Sequence, residues 1–121
     1  MEKEIKNQLP EGLEIADYNG EGYDRTLVYN TWCVAFLNYA DRFDKITYLE
    51  RHLLTDEVFV LLQGTAELLI GEKSETVKME PFKIYNVKAG VWHAIRVSRD
   101  AKVLIVENSD TAKENSEYFD V

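Results

Sequence analysis

The chain has a single cysteine, Cys33, and can therefore close no internal disulfide. That absence fits a reducing compartment, and the expected location is cytoplasmic. Long apolar runs are also missing. None approaches the ~20 residues of a membrane-spanning helix, and the charged opening Met1-Glu2-Lys3-Glu4 does not read as a signal peptide. Basic residues number 14 against 22 acidic ones, a formal charge of −8, and they are scattered rather than clustered. Nucleic acid and anionic membrane surfaces are therefore not expected as partners. No phosphate-binding loop, nucleophile elbow or dinucleotide fingerprint occurs, and there are no internal repeats or low-complexity tracts. Beyond Leu13 no segment carries an apolar stripe of period 3.6, which argues against helices of any length.

What is present suits a small β domain. A length of 121 residues fits one domain, and 45% apolar residues, with seven Tyr, five Phe and two Trp, can fill a core. Short runs rich in β-branched, aromatic and aliphatic residues predict strands at 13–17, 26–30, 32–38, 45–53, 57–63, 66–71, 83–87, 92–97 and 102–107. Turn signals separate most of them, among them Asn19-Gly20-Glu21-Gly22, Gln63-Gly64-Thr65 and Gly71-Glu72-Lys73-Ser74. EVFVLLQ and AELLIG, flanking Gly64-Thr65, read as a hairpin over Glu57–Gly71. The expected organisation is an N-terminal arm at 1–12, an all-β domain of antiparallel sheets at 13–107 and a polar tail at 108–121. Tyr118 and Phe119 are the only large apolar pair there, and the stretch is a tail unless those rings dock on the body or on a second subunit. The apolar strands TLVY and WCVAFL exceed what one small barrel needs, and two prolines are few to blunt strand edges. A homodimer built partly from the N-terminal strands is expected.

The chain has only two histidines, His52 and His93. Period-two geometry places Ile46, Tyr48, Glu50 and His52 on one face of a strand, a face that begins apolar and ends polar. Glu57 opens the next strand and shares a face with Phe59 and Leu61. His93 opens another, followed on its own face by Ile95 and Val97. Three strands thus each bring a metal-competent side chain to one end, with apolar side chains deeper in. Two imidazoles and a carboxylate suffice for a mononuclear metal site with open positions, and Glu50 would add a second carboxylate. The same residues could instead bind a ligand by hydrogen bonds, and Glu50 could act as a general acid or base. Tyr48, Trp32, Phe36, Phe59 and Trp92 are expected to fill the core, with walling a ligand pocket as the alternative, Cys33 to be a buried small hydrophobe, and Arg96 to lie at the surface.

This spacing resembles the cupins. His52, then Glu57 five positions on, then Gly64 resembles the second half of the first cupin motif, and Gly90 with His93 resembles the core of the second. Glu50 stands in the slot of the other first-motif histidine. Asp44, Phe82, Lys88 and Val97 stand where the family usually has glycine, glycine, proline and asparagine. The resemblance covers roughly 44–97 and implies a jelly-roll barrel with a divalent metal (Mn, Fe, Ni or Zn) held by Glu50, His52, Glu57 and His93. It also implies an enzyme of isomerase, epimerase, lyase or dioxygenase type acting on a small sugar-like, carboxylate or ureido compound. Glu50 or Glu57 would be the catalytic group that moves a proton. The alternative is a non-catalytic cupin that binds or senses a ligand without metal.

Overall fold

The computed structural model describes residues 9–121. The expected N-terminal arm falls largely on residues 1–8, which lie outside the described residues, and 9–22 contain no helix or strand. Ten strands follow: β1 (Tyr23–Tyr29), β2 (Trp32–Asn38), β3 (Tyr48–His52), β4 (Glu57–Gln63), β5 (Ala66–Ile70), β6 (Glu75–Lys78), β7 (Tyr85–Val87), β8 (His93–Val97), β9 (Lys102–Asn108) and β10 (Ser116–Asp120). They form two five-stranded sheets, ordered β1-β2-β9-β4-β7 and β10-β3-β8-β5-β6, in which every strand pairing is antiparallel. This is the all-β double sheet expected from the strand texture.

Alternation decides which face is inside. In β4 the buried residues are Glu57, Phe59 and Leu61, in β8 His93, Ile95 and Val97, and in β9 Val103, Ile105 and Glu107. Leu37, Phe59, Leu61, Ile95, Val103 and Ile105 form the centre of one apolar cluster. Each of these series is apolar except at one end. Because the strands are antiparallel, the starts of β4 and β8 and the ends of β3 and β9 lie at the same end of the molecule. The polar residues gather there.

Several expectations are corrected. Glu57–Gly71 is not a hairpin: β4 pairs with β9 and β7 while β5 pairs with β8 and β6, so the two belong to different sheets. The corner at Gly64 carries the chain from one sheet to the other. Its φ is +77°, and a Cβ there would lie 2.7 Å from the Ala101 Cα, so only glycine fits. Residues 13–17 form no strand. β6 went unread because all four of its residues are exposed and carry no burial pattern. The stretch expected as a polar tail contains β10, which pairs along the whole of β3. There Tyr118 meets Tyr48 edge-on at 5.6 Å, and Phe119 packs on Trp92 at 5.4 Å. Of the five aromatic residues expected to fill the core, Phe59 alone is buried. Trp32 is exposed, Trp92 lies beneath the Arg51 guanidinium as well as beside Phe119, and Tyr48 lines a pocket. Cys33 is fully buried. Arg96 is half-buried and paired with Glu67.

Candidate functional site

Glu50, His52, Glu57 and His93 converge at the polar end of the barrel. Glu50 and His93 are direct register partners across β3 and β8, and Glu57 enters from β4 in the facing sheet. Gly90, at φ +82°, sits in the turn before β8, and its N–H donates to the His52 carbonyl at 2.8 Å, tying the two histidine segments together. The rings of His52 and His93 lie 5.4 Å apart. Oε1 of Glu57 is 2.9 Å from Nε2 of His93 and 3.1 Å from Nε2 of His52, and Oε1 of Glu50 is 3.9 Å from the latter. His52, Glu57 and His93 are buried, whereas the Glu50 side chain keeps about a third of its surface exposed.

Hydrogen bonds fix both histidine tautomers. Nδ1 of His93 lies 3.0 Å from the Val91 carbonyl, which can only accept, so Nδ1 carries the proton. Nδ1 of His52 lies 2.9 Å from the Ser116 hydroxyl oxygen, and Ser116 spends its own proton on the Ala112 carbonyl at 2.7 Å. The Ser116 oxygen therefore accepts from His52. In the neutral form both imidazoles turn the Nε2 lone pair toward the same carboxylate oxygen, which also has only lone pairs to offer. Positive charge must sit among these three atoms, either as a proton on each imidazole or as a cation.

Electrostatics agree with this geometry. Burial pushes both histidines down, but the hydrogen bond and charge of Glu57 outweigh it and raise them above their ordinary value. Burial pushes Glu57 up, but hydrogen bonds from His52 and His93 outweigh it and hold the carboxyl low. The donor set fits a divalent ion: two tautomer-locked imidazoles with outer partners, plus carboxylates at one point, are what such ions take. Donor atoms of Glu50, His52 and His93 lie within 4.8 Å of one another.

The sequence reading missed three contributors. Glu107 is buried at the end of β9, and its donor atom lies within 4.8 Å of those of His52 and Glu57. Tyr23 donates its phenol hydrogen to Oε1 of Glu107. Burial and the neighbouring Glu57 charge raise the Glu107 carboxyl, and burial and the bond to Glu107 raise the Tyr23 phenol. Ser116 comes from the supposed tail. A signal existed for Glu107, since Val103, Ile105 and Glu107 alternate inward as Leu61, Phe59 and Glu57 do.

These groups form the floor of a cavity of about 230 Å³. Phe43, Ile46 and Ile95 supply apolar wall, Tyr48 and Tyr118 flank it, and Arg42 and Lys113 also line it. Arg42 donates to the Tyr48 hydroxyl at 2.7 Å. The volume is below the ~300–1,000 Å³ typical of drug-sized pockets.

No protein-family model matches the chain, and no curated protein matches it by sequence. Solved structures do. A Streptomyces PAC13 variant with uridine superposes at a TM-score of 0.65, with 11% identity, covering 87% of this chain and 84% of that one. PAC13 is described as a nucleoside dehydratase. A cupin-2 domain protein of Shewanella frigidimarina gives 0.61 at 18% identity, covering 75% and 84%. An RmlC-like cupin with a double-stranded β-helix fold, from Methanocaldococcus jannaschii, gives 0.64 at 8% identity, covering 82% and 93%. With two antiparallel sheets closed over a polar pocket at one end, the chain has the double-stranded β-helix fold of the cupins.

Proposed function

We propose that this chain is a small-molecule-binding cupin that works as a divalent-metal-dependent enzyme, moving a proton on a small polar substrate. The observation that carries the reading is the pair of locked tautomers, which aim two imidazole lone pairs at one carboxylate oxygen. His52 and His93 would hold the ion with Glu57 and a further carboxylate, Glu50 being the one expected from sequence. When bound, the ion would polarise a substrate oxygen as a Lewis acid. The protein's own groups supply the rest. Glu50, part-exposed in the pocket, can take or return a proton, and Tyr48 and Tyr118 line the same pocket. Arg42 and Lys113 favour a substrate with a carboxylate or comparable anionic group. Isomerase, epimerase and lyase chemistry all need such a proton relay.

The test is elemental analysis of the purified protein, followed by turnover on a panel of small hydroxy and keto acids with and without chelator. Metal-dependent turnover supports the proposal. Protein that neither retains nor responds to any divalent ion sinks it.

A second reading, a metal-free pocket, is favoured by one observation: with both histidines protonated, Glu57 already satisfies both Nε2–H groups. A structurally similar nucleoside dehydratase was solved with uridine, which supports a small polar ligand in a pocket of this kind, and dehydration likewise needs a base and an acid. For assembly we propose a homodimer. β1 is an edge strand, and Val28 and Tyr29 at its end are exposed together with Trp32 at the start of β2, with the two rings 5.6 Å apart. Among the described residues no helix is long and apolar enough to cross a membrane.

A further inference from the structure

Glu107 is more than nine-tenths buried, and its two carboxylate oxygens are treated differently. Oε1 accepts from the Tyr23 phenol. Oε2 is buried in the wall of the polar pocket with no hydrogen-bond partner among the described residues. The nearby cation Arg25, also lining the pocket, donates instead to the Ser109 carbonyl. A buried carboxylate oxygen needs either a donor or a cation, because it has lost its water. A donor atom of Glu107 lies within 4.8 Å of those of His52 and Glu57, a spacing one ion can bridge.

Glu50 also has a donor atom within 4.8 Å of those of His52 and His93, but it differs in burial. About a third of its side chain reaches solvent, so water can satisfy it, and its oxygen stands 3.9 Å from His52. We infer that Glu107, oriented by Tyr23, is a carboxylate ligand of the divalent ion beside His52 and Glu57, and that Glu50 is left free to face the substrate. This rests on the metal reading above and changes its ligand set. The carboxylate ligand then comes from β9, a strand outside the stretch on which the motif resemblance rests.

The experiment is calorimetric titration of Mn and of Zn into chelator-stripped full-length chain, comparing wild type, Glu107→Gln and Glu50→Gln. Glu107→Gln is expected to weaken binding by about tenfold or more, and Glu50→Gln by less than about threefold. The reverse order, or equal affinity of Glu107→Gln and wild type, overturns this assignment and leaves the metal reading standing. A wild type that binds neither ion overturns both. Because Glu107→Gln can also disturb folding, Mn-soaked wild-type crystals give an independent answer by anomalous scattering. An ion at about 2.0–2.2 Å from a Glu107 oxygen supports the assignment. An ion bound by Glu50 with Glu107 out of reach overturns it.

Discussion

In the metal site proposed, protons and a divalent ion would compete for the same imidazole nitrogens, so opposite pH signatures are expected with and without metal. In chelator-treated protein His52 and His93 have raised folded-state pKa values. Their contribution to stability is full below the unfolded value of ~6.5 and is lost as pH rises through the raised folded value. Glu57 is held low, so its contribution is present above the unfolded value of ~4.3 and is lost as pH falls through the depressed one. The cluster therefore stabilises the metal-free protein most between about pH 4.3 and 6.5, and less as the solution becomes alkaline. Metal binding runs the other way. Below both imidazole pKa values two protons leave for each ion bound, so the apparent Kd rises about 100-fold per pH unit. At neutral pH, ion at a hundredfold excess over Kd adds ~2.7 kcal/mol. With 121 residues and ~2.1 cal/mol/K of unfolding entropy per residue, that raises Tm by about 10 °C. Where the pH lies below both raised imidazole values, a further drop of one unit brings an ion from a hundredfold excess to Kd, and the increment falls to about 0.4 kcal/mol, a degree or two. Melting curves of the full chain from pH 5 to 8, with chelator and with Mn or Zn, measure both trends. A metal increment that stays constant across this range, or that survives unchanged in His52→Ala and His93→Ala, would refute the reasoning.

Ser116→Ala removes the acceptor that fixes the His52 tautomer and is expected to weaken metal binding by about 10- to 100-fold, while Ser116→Thr, which keeps a hydroxyl, largely preserves it. Titration calorimetry separates the two. Gly64→Ala is expected to cost about 2–4 kcal/mol, because the left-handed backbone is strained for alanine and the new Cβ meets Ala101. Its metal-induced rise in Tm should match wild type, since Gly64 lies at the end of β4 far from Glu57; loss of that rise would show the corner to be coupled to the site. Light scattering at tens of micromolar is expected to show a dimer for wild type and a monomer for Tyr29→Glu combined with Trp32→Glu, and a wild-type monomer would count against the assembly proposed.

Much of the architecture was legible because one face of each central strand is buried and the pleat has period two. EVFVLLQ, HAIRV and KVLIVEN each write their inner face into alternate positions. The convergence of His52, Glu57 and His93 was legible for the same reason, since each ends such a face. Pairing was not. Gly64-Thr65 marks a sharp corner equally well whether the chain returns in the same sheet or crosses to the other, and hydrogen-bond partners tens of residues away decide between them. β6 and β10 are edge strands with largely exposed residues, so burial left no period in ETVK or SEYFD. Tyr23 was lost because the register of β1 shifts between Asp24 and Leu27, which breaks the alternation where the strand begins.

The position of β10 explains why the site could not be read from the two histidine segments alone. A metal-ligating histidine almost always has its other ring nitrogen held by a fixed partner, and for His93 such a partner is local, the Val91 carbonyl two residues back. His52 has no such neighbour. It ends β3, and the chain beyond it turns away toward Glu57. Its Nδ1 is held by Ser116, 64 positions along, which is itself oriented by the Ala112 carbonyl just before the last strand. The pairing of Ser116 with His52 opens the β3–β10 ladder, so the backbone register that seats the strand also sets the tautomer. A slip of one residue in that ladder would put Ser116 on the opposite face and release the ring. The orientation of the His52 ring is thus a consequence of how the final strand docks, and the 3.1 Å approach of Nε2 to Glu57 depends on a segment whose sequence, taken alone, looks like a solvated tail.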